Sequence, residues 1–226
     1  TNSKAVYYIL DYGNKRVRRI IEEEDLTNNT DASSMATIAG ADIYNGTNTT
    51  IKDARFYSPR NSQFDSSGNL YVADQRLHIV RKIDTNGIVT TVAGTPESSG
   101  LSGDGGSATS AQLNSPRGVT VDSKGNLYIS DSGNNLIRKV DTNGNISTFA
   151  GSTGATNPGD GGPATSAAIG FPYQLAVDAA DNLYIADYGN HSIRKVDIAT
   201  GIISMYAGNR QTAYGGDGGQ ATNAAV

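Results

Sequence analysis

The sequence predicts an all-β protein, a β-propeller built from four-stranded antiparallel blades. Two nearly identical stretches support this prediction: "GNLYISDSGNNLIRKVD", which begins at Gly125, and "DNLYIADYGNHSIRKVD", which begins at Asp181. One aspartate also recurs at the same place in four units, at spacings of 63, 57 and 56 residues: Asp11, Asp74, Asp131 and Asp187. Units of nearly constant length, each with four short apolar segments and turn signals between them, are typical of propeller blades.

The unit that begins at Pro116 shows the predicted strands in order, at residues 119–121, 127–129, 136–140 and 146–150. The sequences between them, "DSKGN", "DSGNN" and "DTNG", predict turns in which Gly or Asn adopts a positive φ and Asp bonds the turn backbone. At Asp181 an aspartate takes the glycine position, and aspartate is one of the few other residues that tolerate this conformation. The second strand is apolar on both sides, which indicates a sheet covered on both faces.

Long connectors join the units. They begin with an Ala-Gly pair, continue in three cases as "GDGGSATSAQL", "GDGGPATSAAI" or "GDGGQATNAAV", and end at a proline that opens the next unit (Pro59, Pro116 and Pro172). Each "GDGG" aspartate precedes a short helical turn, and we expect it to act as an N-cap: Asp104, Asp160 and Asp217.

We expect blades at about 5–40, 59–94, 116–151 and 172–208, followed by a final connector at 209–226. The first blade opens at its second strand, which leaves three arrangements open. The favoured one is four blades of a larger ring. A four-bladed ring closed by a few further residues is an alternative, and so is a strand supplied by a neighbouring molecule, because an exposed sheet edge is a template for pairing.

The recurring pattern P-x-G-V-x-V-D-x-x-G-N-L-Y-I-x-D-x-G-N-x-x-I-R-K-V resembles the NHL repeat. The "GDGGxATSAxL" connector is similar to that of bacterial NHL proteins and of teneurin-type cell-surface receptors. The resemblance covers residues 7–226 and implies a ring of six blades. It says little about function, because the family includes adhesion receptors, RNA-binding ubiquitin ligases, sensor domains and a few enzymes.

Composition narrows the classes of function. A net charge of −4 and a pI near 5.1 disfavour a nucleic-acid binder, which would present a basic face. No apolar run approaches the ~20 residues needed to span a bilayer. The chain contains no cysteine. Five N-glycosylation sequons weakly favour a secreted or cell-surface glycoprotein: Asn28, Asn45, Asn48, Asn145 and Asn190.

Candidate binding residues lie on the face that carries the long connectors, because long loops on a rigid scaffold usually carry binding sites. Arg60, Arg117 and Tyr173 each follow the proline of a first strand and should line the mouth of the central channel, where they suit an acidic ligand. The alternative for the arginines is pairing with an aspartate of the next blade. The blade-two turn breaks the repeat with Arg76-Leu77-His78, which should expose an apolar side chain beside a cation to a partner.

Other features are expected to be structural. Each recurring aspartate should cap its turn or pair with the arginine seven residues later: Arg18, Arg81, Arg138 and Arg194. His78 and His191 share one repeat position on non-adjacent blades, too far apart for one zinc ion. Blade one carries an acidic insertion between its third and fourth strands, for which plain solvation is expected. No metal site, cofactor or catalytic residue is assigned.

The sequence therefore favours a non-catalytic binding or assembly module at the cell surface or outside the cell. Its partner would be a protein or a glycan, and it could associate with itself through the exposed blade edge, within a fibre for example. The alternative is a propeller enzyme, a lyase or a lactonase-type hydrolase, whose central channel holds an anionic substrate through Arg60, Arg117 and Tyr173.

Overall fold

The structure is a computed structural model, and it describes residues 6–11, 14–23, 32–39, 49–50, 54 and 56–226. They form sixteen strands: β1 (Val6–Asp11), β2 (Arg16–Glu23), β3 (Ala32–Ala39), β4 (Thr49–Thr50), β5 (Pro59–Phe64), β6 (Leu70–Asp74), β7 (Ile79–Ile83), β8 (Ile88–Ala93), β9 (Val119–Val121), β10 (Leu127–Asp131), β11 (Leu136–Val140), β12 (Ile146–Ala150), β13 (Pro172–Val177), β14 (Leu183–Asp187), β15 (Ser192–Val196) and β16 (Ile203–Ala207).

The helical elements are single 3₁₀ turns. Three lie in the long connectors and two follow β10 and β14: η1 (Ala108–Ser110), η2 (Ser132–Asn134), η3 (Ala164–Ser166), η4 (Tyr188–Asn190) and η5 (Ala221–Asn223). Within the described ranges, no helix is long and apolar enough to cross a membrane.

The strands form four antiparallel sheets. Sheets β9 to β12 and β13 to β16 each have the four strands that the sequence predicts, paired in chain order. The first sheet pairs β1, β2 and β3. The second contains β5 to β8 and a fifth strand, β4, which pairs with β8 on the outer edge. The sequence did not predict β4, because two threonines in a polar loop carry no strand signal of their own.

The first strands of successive blades lie side by side at the centre. Strand β9 contacts both β5 and β13. Between β9 and β5, the backbone N–H of Val119 donates to the Asn61 side-chain oxygen at 3.0 Å. The sheets are thus arranged radially with their first strands innermost, which confirms the β-propeller prediction.

The hydrophobic core lies between neighbouring sheets rather than inside any one of them. Ala73 and Val80 of blade two pack with Leu113 of the connector and with Val119 and Ile129 of blade three. A second cluster joins blades three and four in the same way. All five residues of β10 are buried as a result, and this explains why the second strand has no polar face.

The turns form as predicted. The Asp122 carboxylate accepts hydrogen bonds from the backbone N–H groups of Lys124 and Asn126 at 3.0 and 2.8 Å, and from the Tyr128 hydroxyl at 3.2 Å. Asp181, the predicted substitute for glycine, has a φ of +64°. Because aspartate tolerates this conformation, the hairpin keeps its geometry without a glycine.

Candidate functional site

In blades three and four the recurring aspartate and arginine form a buried ion pair, as the sequence predicts. Arg138 Nη1 lies 3.3 Å from Asp131 Oδ2, Arg194 Nη1 lies 3.4 Å from Asp187 Oδ2, and all four side chains are fully buried. In blade one, Arg18 Nε lies 2.7 Å from Asp11. The two buried pairs join the end of the second strand to the middle of the third, so they brace blades three and four from within.

In blades two to four the recurring aspartate also holds the chain that enters its blade. The backbone N–H of Asn114 donates to Asp131 at 2.6 Å, and that of Gly170 donates to Asp187 at 2.7 Å. In blade two, Asp74 accepts from the N–H groups of Tyr57 and Ser58. Burial raises the pKa of Asp131 to about 6, against the lowering effect of these hydrogen bonds and of Arg138.

The prediction that the "GDGG" aspartates are N-caps is wrong. The residues at the cap positions of η1 and η3 are Ser107 and Pro163, and neither makes a side-chain cap hydrogen bond. Asp104 instead binds the Arg138 guanidinium, and Asp160 binds that of Arg194 at 2.6 Å. Each of these two connectors thus folds onto the blade that follows it. Its aspartate gives the buried arginine of that blade a second carboxylate to bond.

The predicted funnel residues are only partly brought together. The Arg117 guanidinium lies over the rings of Phe171 and Tyr173, 4.6 and 4.4 Å from their centroids. Arg60 donates to the side-chain oxygen of Gln75 in its own blade. Arg117 therefore has the next blade's aromatic rings as partners, rather than an aspartate, and the binding of an anion by these residues stays a prediction.

An aromatic surface continues from this point across blade four. Tyr173 stacks on Tyr188 with parallel rings 4.3 Å apart, and Tyr188 contacts His191. We call Phe171, Tyr173, Tyr188 and His191 the aromatic surface. The Tyr188 side of it borders a mainly apolar cavity of about 310 Å³ that Ile193 also lines. Tyr188 is 57% exposed, so the stack is accessible from solvent.

The sequence did not single out Phe171 and Tyr188. The signal was present, because both depart from the repeat: Phe171 stands where blade three has Ser115, and Tyr188 stands where it has Ser132. Phe171 lies two residues before Tyr173, and Tyr188 lies three residues before His191, and the sequence does single out both Tyr173 and His191.

The expectation for the blade-two turn is wrong at Leu77. That side chain is only 2% exposed and belongs to the interior, because the turn folds back over the start of the third strand. Arg76 is exposed and lies over the Tyr57 ring, 4.6 Å from its centroid. Any contact of this turn with a partner would therefore come from Arg76 rather than from an apolar anchor.

His78 joins blade two to blade three. Its Nδ1 accepts a hydrogen bond from the backbone N–H of Ser115 at 3.0 Å, and this requires an imidazole that carries no proton on that nitrogen. At the same position in blade three, Asn135 Oδ1 accepts from the N–H of Phe171 at 2.8 Å. Both residues adopt a left-handed backbone, with φ of +59° and +58°, which turns the side chain toward the next blade.

This junction predicts a pH-dependent stability. Burial lowers the pKa of His78 from 6.5, against the raising effect of Asp74. The unfolded chain therefore takes up the proton first, and the free energy of unfolding should decrease as the pH falls through 6.5. The charged groups around this contact are Asp74 at the end of β6, whose own pKa Arg81 of β7 lowers against the effect of burial, and Arg76 and Glu97 on the loops. Arg117 lies two residues beyond Ser115.

We expect His78→Asn to preserve the junction and to remove roughly 1 kcal/mol of the pH dependence. The measurement is urea unfolding of both proteins at a series of pH values on either side of the histidine pKa. The reciprocal change, Asn135→His, should add a similar pH dependence to the next junction. Parallel curves for the wild type and His78→Asn would contradict the assignment.

The sequons differ in accessibility. Asn28, Asn45 and Asn48 lie outside the described residues, as does the centre of the acidic insertion at 24–31. Asn145 is exposed. Asn190 is half-buried, and its amide nitrogen donates to the buried Asp187 carboxylate at 2.9 Å, which leaves less room for a glycan on that nitrogen. Among the described sequons, Asn145 is thus the better candidate for glycosylation.

Comparison with known proteins identifies the repeat. A family model, the Teneurin NHL domain, matches residues 94–158. Teneurin-1 of Gallus gallus is 38% identical over 139 residues, and human NHL repeat-containing protein 2 is 35% identical over 144 residues. These matches support an NHL-repeat family for this chain. The match covers 54% of this NHL chain but 5% of Teneurin-1, and 60% of the chain but 20% of NHL repeat-containing protein 2.

Solved structures agree on the fold. A Bacteroides thetaiotaomicron protein of unknown function superposes on this chain with a TM-score of 0.62 and 24% identity. The superposition covers 84% of this chain and 44% of the Bacteroides protein. Virginiamycin B lyase from Staphylococcus aureus covers 91% of this chain and 53% of its own, with a TM-score of 0.55 and 13% identity. At these identities the likeness extends to the propeller architecture alone.

Proposed function

We propose that this NHL segment is a non-catalytic binding and assembly module that works at the cell surface or outside the cell. The observation that carries the proposal is the aromatic surface, in which the exposed Tyr188 stacks on Tyr173 beside a cavity of about 310 Å³. Rigid, stacked tyrosines offer a large contact area at a small cost in side-chain entropy, which is the composition of binding hot spots. The resemblance to teneurin-type receptors supports the location.

The corresponding place on blade three indicates what such a surface accepts. There the Ser132 hydroxyl donates to the carbonyl of Pro172, and Asn135 accepts from the N–H of Phe171. An extended polypeptide segment therefore lies across that site. Tyr188 and His191 occupy the same two repeat positions on blade four. A polypeptide segment of a second copy is thus the better fit, and a glycan stacked on the rings is the other partner to test.

The proposal is tested by sedimentation velocity over a concentration series, together with titration of neutral and acidic oligosaccharides. We expect the mean mass to rise with concentration. Tyr188→Ser, which installs the blade-three residue, should weaken this association about tenfold, since a buried interface tyrosine contributes about 1–2 kcal/mol. Tyr214→Ser is the matched control, because Tyr214 is 91% exposed and lies outside the aromatic surface.

Two results would overturn the proposal. A constant monomer mass without any response to oligosaccharides would remove the aromatic surface as a recognition site. Turnover of a lactone or ester substrate by the purified protein would favour the enzyme alternative instead.

A further inference from the structure

A cavity of about 350 Å³ lies on blade three, away from the aromatic surface. It forms where the incoming connector meets the third and fourth strands, and its walls include Leu101, Asp104, Leu136, Arg138 and Thr153. Asp104 uses one carboxylate oxygen for the Arg138 guanidinium. The other accepts from the N–H and hydroxyl of Thr148 at 3.0 and 2.7 Å.

Blade four contains a related arrangement with one donor exchanged, because Met205 stands opposite Arg194 where Thr148 stands opposite Arg138 in blade three. Asp160 stands in the place of Asp104 and binds Arg194, the counterpart of Arg138. The second oxygen of Asp160 binds the guanidinium of Arg210. Arg210 comes two residues after Gly208, as Thr153 comes two residues after Gly151. In blade four a guanidinium from the blade's own connector therefore bonds the carboxylate oxygen that Thr148 bonds in blade three, and Thr153 stands at the connector position of Arg210.

The difference changes both exposure and charge. The Asp104 side chain is 47% exposed, whereas that of Asp160 is 29% exposed beneath Arg210. In blade four, Asp160 and Asp187 face two guanidinium groups. In blade three, Asp104 and Asp131 face Arg138 alone among the residues that line the cavity. The two carboxylates of blade three thus face one guanidinium fewer than the two carboxylates of blade four.

We propose that this cavity binds the guanidinium group of an arginine side chain presented by another polypeptide. The one remaining lone pair of Asp104, on the oxygen that binds Arg138, accepts a guanidinium N–H, so that Asp104 holds two guanidinium groups as Asp160 does in blade four. Leu101, which is 44% exposed, offers an apolar wall for the arginine's methylene groups. A guanidinium suits the site better than an ammonium group, because it is the more weakly hydrated cation and because Asp160 in blade four already accepts two guanidinium groups.

The test is a two-dimensional NMR titration with N-acetyl-arginine methylamide. The reporter is the Thr148 amide, which donates to Asp104. We expect a saturable shift of this amide. The neutral analogue N-acetyl-citrulline methylamide should bind at least about tenfold more weakly, as expected for the loss of charge-assisted hydrogen bonds. The corresponding lysine derivative should also bind more weakly than the arginine derivative.

Two substitutions exchange the blades' residues without touching the buried pairs. Thr153→Arg installs the blade-four arginine and should close the cavity, abolishing the response while the protein stays folded. Arg210→Thr should open a second site on blade four, seen as new shifts near Asp160. Equal binding of the arginine and citrulline derivatives, or an unchanged response in Thr153→Arg, would overturn the proposal. Equal binding of the lysine derivative would overturn the assignment to guanidinium.

Discussion

Replacing Asp131 with alanine is expected to lower the free energy of unfolding by about 3 kcal/mol, near the lower end of the cost of removing one member of a buried ion pair, because Arg138 keeps the half-exposed Asp104 as a second carboxylate. The Arg138 side chain is fully buried and cannot lose its charge, so the variant would keep a cation 3.3 Å from the place where its partner had been. The substitution also removes the acceptor for the backbone N–H of Asn114, which ties the connector to the blade. Urea unfolding followed by circular dichroism measures the loss.

Three variants separate the charge from the hydrogen bonds. Asp131→Asn keeps an oxygen for Asn114 and should lose less stability than Asp131→Ala. The double variant Asp131→Ala/Arg138→Met should recover part of the loss, because no charge is then left buried. Asp141→Ala, in an exposed turn that Asp141 caps through Asn143 and Asn145, should cost only about 1 kcal/mol. A loss at Asp131 no larger than the loss at Asp141 would disprove the bracing role.

Gly118→Ala is the second substitution with a large expected effect, about 2–3 kcal/mol, because it forces an extra carbon into a packed contact. A Cβ at Gly118 would lie 2.1 Å from the Tyr173 carbonyl oxygen and 2.9 Å from Ser130 Oγ. The first of these is backbone of the neighbouring blade and cannot rotate away. The innermost strands would have to separate, which would weaken the junction between blades three and four.

Gly106→Ala is the matched control. Its Cβ would meet nothing closer than 3.5 Å, and like Gly118 it does not have a left-handed φ. We expect its stability to change by less than about 0.5 kcal/mol, as is usual at surface positions. Similar denaturation midpoints for the two variants would show that the inner strands can move apart freely.

Local features of this protein follow from the sequence alone. The strand order, the aspartate-capped turns and the left-handed Asp181 all depend on residues within about six positions of one another, where backbone sterics and short hydrogen bonds decide the outcome. The pairing of Asp131 with Arg138 is equally local, since antiparallel strands joined by a tight turn place these residues in one blade. Repetition across four units made each of these predictions stronger.

Only the tertiary structure decides what the connectors and the departures from the repeat do. Asp104 reaches Arg138 across 34 residues, and Thr148 across 44. No local rule predicts these contacts, so the capping role expected from the adjacent helical turn was wrong. Leu77 is buried and Tyr188 exposed for the same reason, because each depends on what the folded chain brings over its turn. The blades themselves are local, whereas the surfaces between and above them arise from distant segments that meet only once the propeller has folded.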